Sequence, residues 1–181
     1  PPPYVVAMSK QGKCLRMSLE NFAEPSTVNG RLMMRLSGSN DGVVAVYATR
    51  GDELVSLATR QGRCLLFKVS EVNVLGGAGK GVMAIKLSKD DHVLGFVLAR
   101  DRMDGIEVET NRGRVETVRS NKFSIGSRGN RGREIIRVGY IARVSLPPVE
   151  LSFRDPEDPA EERSELADAP VEDPEGQPPL L

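Results

Sequence analysis

The chain has 181 residues, 25 basic and 25 acidic, with no Trp and only three Tyr and five Phe. That length allows one domain with a real core, or one domain and a tail. No stretch approaches the roughly 20 apolar residues of a membrane span. The start, "PPPY", has no Met and no signal-peptide pattern, so the sequence reads as a soluble, intracellular fragment or processed product. The zero net charge hides an asymmetry. Residues 151–181 set ten carboxylates against Arg154 and Arg163, a net of −8, which leaves +8 on residues 1–150. A basic body beside an acidic tail suggests a polyanionic partner.

In chain order, "CLRMSL" (14–19) comes first and alternates, with Leu15, Met17 and Leu19 on one face and Arg16 and Ser18 on the other. "LVSLAT" (54–59), "CLLFKV" (64–69), "VMAIKL" (82–87) and "VLGFVLA" (93–99) are short, apolar and rich in Val, Leu and Ile. All read as strands. "RQGR" (60–63) and "NRGR" (111–114) read as tight hairpin turns whose glycine supplies positive φ. The tail, 151–181, is rich in Pro, Glu, Asp and Ala. It reads as disordered, with at most a marginal helix over "AEERSELAD" (160–168).

The body repeats. "SKQGKC", "TRQGRC" and "TNRGRV" align on Gly12, Gly62 and Gly113, spaced 50 and 51 residues apart. The register continues through Phe22, Val72 and Phe123, then Gly30, Gly81 and Gly132, then Arg35, Lys86 and Arg137. Repeats of this length built from strands predict an all-β, propeller-like fold with very little helix. Three blades of four-stranded sheets are expected, at about 4–53, 54–104 and 105–150. Cys14 and Cys64 share one repeat position, and the third copy has Val115 there. A site that accepts Cys or Val is a small apolar packing site, so neither a disulfide nor a metal is expected.

"GGAGKGVMAIKL" (76–87) has the look of a nucleotide loop, but the spacing fails. With Gly79 and Lys80 as the "GK", Val74 replaces the first glycine and Gly81 the magnesium-binding hydroxyl. A β-branched run then follows in place of a helix. His92, the single histidine, lies in "KDDHV", a hairpin tip, and reads as solvent-exposed. Asp90 and Asp91 read as turn-solvating. No nucleophile–base–acid set is visible, and no enzyme chemistry is expected of this chain.

Blades with a "T-x-x-G-[RK]" turn and then a "GG-x-GKG-[VR]-x-x-IKL" strand resemble the C-terminal domain of bacterial type IIA topoisomerase A subunits, those of DNA gyrase and topoisomerase IV. The match is closest over 59–87, and "GSRGNRGREIIRVGYIARV" (126–144) resembles a last blade. The resemblance covers roughly 4–145. It implies a β-pinwheel, a propeller whose blades exchange strands, with a basic rim that binds and bends duplex DNA. The gyrase signature box, Gln-Arg-Arg-Gly-Gly-Lys-Gly, is incomplete here: the matching loops read "VLGGAGKG" (74–81) and "SIGSRGNRG" (124–132). The implied partners are duplex DNA, the topoisomerase B subunit, and the N-terminal catalytic part of the polypeptide to which such a domain belongs, with no membrane. ATP and Mg would serve the parent enzyme, and no cofactor would bind this fragment. The implied location is cytoplasmic, on the nucleoid.

The residues expected on DNA are Arg60, Arg63, Lys80, Lys86, Arg112, Arg114, Arg119, Lys122, Arg128, Arg131, Arg133 and Arg137. Residues 110–145, which also contain Arg143, have a net charge of +7. Arginine clusters with few aromatics suit duplex phosphates better than stacked single-stranded bases. The glycines of "GGAGKG" are read as permitting close backbone approach to a phosphate. The competing expectation is a propeller that binds a protein through its rim.

Overall fold

A computed structural model describes residues 4–26 and 28–146; the tail and its expected disorder lie outside the described residues. Among the described residues twelve strands run in chain order: β1 (Tyr4–Ser9), β2 (Lys13–Ser18), β3 (Val43–Thr49), β4 (Leu54–Thr59), β5 (Arg63–Lys68), β6 (Val74–Leu75), β7 (Val82–Met83), β8 (Val93–Ala99), β9 (Gly105–Thr110), β10 (Val115–Arg119), β11 (Arg133–Glu134) and β12 (Ile141–Ser145). The only helices among the described residues are single 3₁₀ turns at Glu20–Phe22 and Val69–Glu71.

Each repeat opens with an antiparallel hairpin closed by a glycine turn. Gly12, Gly62 and Gly113 have φ of 73°, 83° and 78°, the left-handed region that L-residues avoid. In each case the glycine N–H donates back to the carbonyl three residues earlier, from Gly62 to Thr59 at 3.1 Å and from Gly113 to Thr110 at 3.0 Å. A third strand from the same repeat pairs with the first: β3 with β1, β8 with β4, and β12 with β9.

In the first two sheets a further strand comes from the next repeat; against the expected four strands per blade, the three sheets have five, four and three strands among the described residues. β7 lies beside β2 with Val82 opposite Cys14, and β11 lies beside β5 with Arg133 opposite Cys64. β6 also joins the first sheet, parallel to β2. This is the strand exchange of a pinwheel, and it cuts across contiguous blade boundaries. It also shortens an expected strand. "VMAIKL" pairs only through Val82 and Met83. Its backbone then turns to other partners, with Ala84 N donating to Gly12 O at 2.8 Å and Lys86 N to Asn130 O at 2.9 Å.

Because blades stack, a sheet is apolar on both faces when it has neighbours on both sides. One core layer holds Val6, Met8 and Cys14 of the first sheet against Leu57, Leu65, Phe67 and Phe96 of the second. The next holds Ala58, Cys64 and Leu66 of the second sheet against Ile106, Val108 and Val118 of the third. Thus Leu65 and Leu66, adjacent in β5, serve different layers. The far face of the third sheet is polar: Glu109 pairs with Arg143, and Glu107 accepts from Ser145 Oγ at 3.1 Å.

Candidate nucleic-acid interface

The hairpin turn of the third repeat and the exchanged segment that starts at β11 form the two walls of one cleft. It is about 710 Å³ and lined by Arg112 and Arg114 on one side and Arg133, Glu134 and Arg137 on the other. Arg112 and Arg114 flank the turn glycine between β9 and β10, and both are exposed. Arg133 and Arg137 flank Ile135 and Ile136, which pack against the layer between the second and third sheets. The fold therefore joins residues about twenty positions apart into one basic surface.

Glu134 is the one carboxylate lining this cleft, and it is engaged by Arg63 at 3.3 Å. Arg114 meets Glu116 at 3.3 Å, and Lys122 pairs with the other oxygen of the same carboxylate. The Lys122 hydrogen bond, together with Arg114, holds the Glu116 carboxyl below the usual range against the opposing effect of burial. Among the described residues no hydrogen bond or ion pair occupies Arg112, Arg131 or Arg137, and all three are exposed. Arg131 and Arg133 also line a smaller neighbouring cleft of about 300 Å³ with Phe123 and Ser124. Arg133 lies 5.9 Å from the Phe123 ring centroid, the outer limit of a cation–π contact. Arg119 is half-buried, and its Nε has no partner among the described residues.

Two of the expected DNA ligands also make contacts within the protein. Arg128 donates from Nη1 to Met83 O at 2.9 Å and from Nε to Glu71 O at 3.3 Å. Its backbone N–H reaches Glu71 Oε2 at 2.8 Å. Arg60 stacks over the Tyr140 ring at 4.0 Å and donates from Nη1 to Ile141 O at 2.8 Å and Ala142 O at 3.2 Å. Lys80 and Lys86 are exposed and line neither cleft.

The glycines of "GGAGKG" also find another use. A Cβ on Gly81 would stand 2.4 Å from Cys14 O, and one on Gly132 at the same distance from Cys64 O. At these two positions the close backbone approach is to the preceding blade, while Gly76 and Gly77 meet nothing within 4 Å. Both cysteines are buried and unpaired, and burial pushes each thiol up to about 12. Val115, expected to share their environment, is 54% exposed. His92 is half-buried, not solvent-exposed. Asp91 next to it accepts from Gln61 N at 2.9 Å and His92 N at 2.8 Å, closing the turn.

Sequence reasoning missed Glu71 and Tyr140 as anchors of the basic loops. Neither residue carries a local signal for a partner lying 57 or 80 positions away along the chain.

The family model for the DNA gyrase C-terminal domain, beta-propeller, matches residues 3–50 and 53–100. The A subunit of DNA topoisomerase 4 from Bacillus subtilis (strain 168) is 30% identical over 138 residues, covering 76% of this chain and 17% of the relative. The A subunit of DNA gyrase from Staphylococcus epidermidis is 29% identical over 130 residues, covering 71% of this chain and 14% of the relative. The chain therefore spans only a small part of these relatives. Among solved structures, the C-terminal domain of DNA topoisomerase IV superposes with a TM-score of 0.69 at 24% identity, over 80% of this chain and 46% of that one. The DNA gyrase A C-terminal domain superposes with a TM-score of 0.62 at 17% identity, over 80% and 49%. With two successive repeats matched and the strand exchange in place, the chain belongs to the DNA gyrase C-terminal domain, beta-propeller, family.

Proposed function

We propose that this chain holds and bends duplex DNA without reading its sequence, as the C-terminal domain of the DNA-cleaving polypeptide of an ATP-dependent type II topoisomerase. The observation that carries the reading is the cleft of Arg112, Arg114, Arg133 and Arg137, whose single carboxylate is drawn off by Arg63. Guanidinium groups take phosphate oxygens in bidentate fashion and keep their charge at any physiological pH. Such contacts fix a duplex in position and carry no sequence information. With no Trp and three Tyr in the chain, one of them stacked under Arg60, aromatic platforms for splayed bases are scarce. A basic rim on stacked blades would offer phosphates a track. Bending a duplex along it costs on the order of 1–6 kcal/mol, which several charge-assisted contacts can offset.

In the parent protein the N-terminal catalytic part and the B subunit, with ATP and Mg, would carry out strand passage. This chain's residues bind and orient DNA and take no chemical step. A cytoplasmic location on the nucleoid belongs to the same reading.

The test is competition among unrelated duplexes of equal length, with a donor–acceptor dye pair on the DNA ends. The expected outcome is affinities within a few-fold of one another, weaker single-strand binding and shorter end-to-end distance on saturation. Strong preference for one sequence, or no measurable duplex binding, would overturn the proposal.

A further inference from the structure

A cleft opens beside β5 at a place that the first blade fills with a leucine of its own. The repeat register pairs Leu75 with Gly126 and Gly79 with Asn130. Leu75 lies opposite Met17 on the first sheet and packs with Leu15 and Met17. Gly79 makes room for it, since a Cβ there would stand 2.7 Å from Leu75 Cδ1. In the second blade the sizes are exchanged. Gly126 N donates to Leu66 O at 2.8 Å, so the backbone keeps its place beside β5, but no side chain comes with it. Its φ lies outside the left-handed region, so the backbone does not demand a glycine here. The atoms nearest a Cβ on Gly126 are Leu65 Cδ1 at 3.2 Å, then Asn130 Nδ2 and Leu66 O at 3.8 Å.

What remains is the cleft of about 300 Å³ next to the larger basic one. Its floor is apolar and its mouth is basic. Leu65 and Phe123, 6% and 8% exposed, lie at the bottom. The exposed Ser124, Asn130, Arg131 and Arg133 stand around them, and no carboxylate lines the cleft among the described residues. Arg133 lies 5.9 Å from the Phe123 ring centroid, whereas Arg131 has no hydrogen bond or ion pair among the described residues. Water satisfies the donors at the mouth but gains nothing from the floor. A molecule with an apolar body and one anionic head satisfies both.

We propose that this cleft binds a small organic carboxylate whose body is branched or aromatic, about the size of a leucine side chain or a phenyl ring. The body lies on Leu65 and Phe123, in the place that corresponds to the Leu75 side chain of the first blade. The carboxylate meets the Arg131 guanidinium, which can hold it in bidentate fashion, with the Asn130 amide and the Ser124 hydroxyl as further donors. A backbone phosphate of DNA carries no such body and would leave the floor wet. The two clefts share only Arg133, so the site stands whether or not the larger one holds DNA.

The test is a titration of the full chain, without DNA, by benzoate, acetate and benzyl alcohol, followed in ¹H–¹⁵N spectra. Benzoate is expected to give saturable shifts centred on the amides of Leu65, Ser124 and Arg131, at concentrations several-fold lower than either control. Gly126→Leu with Asn130→Gly reproduces the Leu75–Gly79 pair and should abolish the response. Arg131→Ala, at an exposed and unpaired position that the fold does not need, should weaken benzoate several-fold and leave benzyl alcohol unchanged. Benzoate no tighter than acetate, shifts centred on Arg112 and Arg137, or full benzoate binding by the Arg131→Ala chain would each overturn the proposal.

Discussion

Arg128 and Glu71 hold each other at two points: the Arg128 backbone N–H donates to Glu71 Oε2 at 2.8 Å, and its Nε donates to the Glu71 main-chain oxygen at 3.3 Å. With Nη1 on Met83 O, one guanidinium ties the 126–132 loop to the 3₁₀ turn after β5 and to β7. Removing it leaves the part-buried Glu71 carbonyl without this donor and the exposed Met83 carbonyl to water. Arg128→Ala is expected to cost about 0.5–1.5 kcal/mol in urea unfolding. It should leave the salt dependence of duplex binding nearly unchanged, because a brace releases no counterions. A stability-neutral Arg128→Ala with a shallower salt slope would instead make it a phosphate ligand.

The turn glycines separate backbone strain from crowding. Gly113→Ala meets open space but keeps φ at 78°, so the expected loss is about 1 kcal/mol. Gly62→Ala adds a clash with Ile136 to the same strain and should lose clearly more. Equal losses would mean that Ile136 gives way freely.

The cysteine position behaves differently in different copies. Repeat alignment alone makes Cys64→Val look neutral, since the third repeat has Val115. Yet Cys64 is 1% exposed and Val115 54%, so the precedent comes from an uncovered site. Overpacking at Cys64 is expected to cost about 1 kcal/mol or more, while Val115→Cys should stay within about 0.5 kcal/mol. Thermal melts of the two variants check this directly.

What the sequence made legible was whatever recurs locally. Gly12, Gly62 and Gly113 sit in turns of one conformation, and the hairpins around them need no distant information. Strand exchange was not legible from the residues alone, because "VMAIKL" has a strand's composition whichever blade it joins, and only the pairing of Val82 with Cys14 says which. The arginines divide in the same way. Their number and charge can be counted in the sequence, but Arg60 and Arg112, both beside a turn glycine, part company through Tyr140. One stacks on it, and the other has no hydrogen bond or ion pair among the described residues.

Acid should weaken the fold through carboxylates that the native state holds ionised. Burial pushes Glu53 up, but hydrogen bonds from Arg50 N, Thr49 Oγ1 and Gly51 N outweigh it and leave its pKa lowered. Asp41 behaves likewise: burial raises it, and bonds led by Ser37 N and Gln11 N lower it further. Glu116 is lowered chiefly by Lys122. A lowered folded pKa gives stability that is present above the unfolded value, roughly 4 for these groups, and lost as pH falls through the folded value. Urea midpoints should therefore be level above about pH 5 and fall below it, with Glu53→Gln flattening part of the decline. An unchanged acid limb in Glu53→Gln would show that this carboxylate does not couple to folding.

The acidic run in residues 151–181 sets −8 against the +8 of the rest of the chain. Exposed charge contacts are weak and screened, so modest competition with DNA is expected. Deleting residues 155–181 should tighten duplex binding at low salt, with a gain that shrinks as salt rises. Equal binding by both chains at low ionic strength would make the run a solubiliser only.

The central claim is that a phosphate-binding cleft is formed by the third hairpin turn and the exchanged segment. The most direct measurement is the slope of log Kobs for a random duplex against log salt, taken on the full chain and on Arg112→Ala/Arg137→Ala. The expected slope is steep and negative, and shallower in the double variant by roughly 0.9 for each lost contact, while urea midpoints of the two proteins coincide. A slope near zero, or one identical in the two proteins, would contradict it.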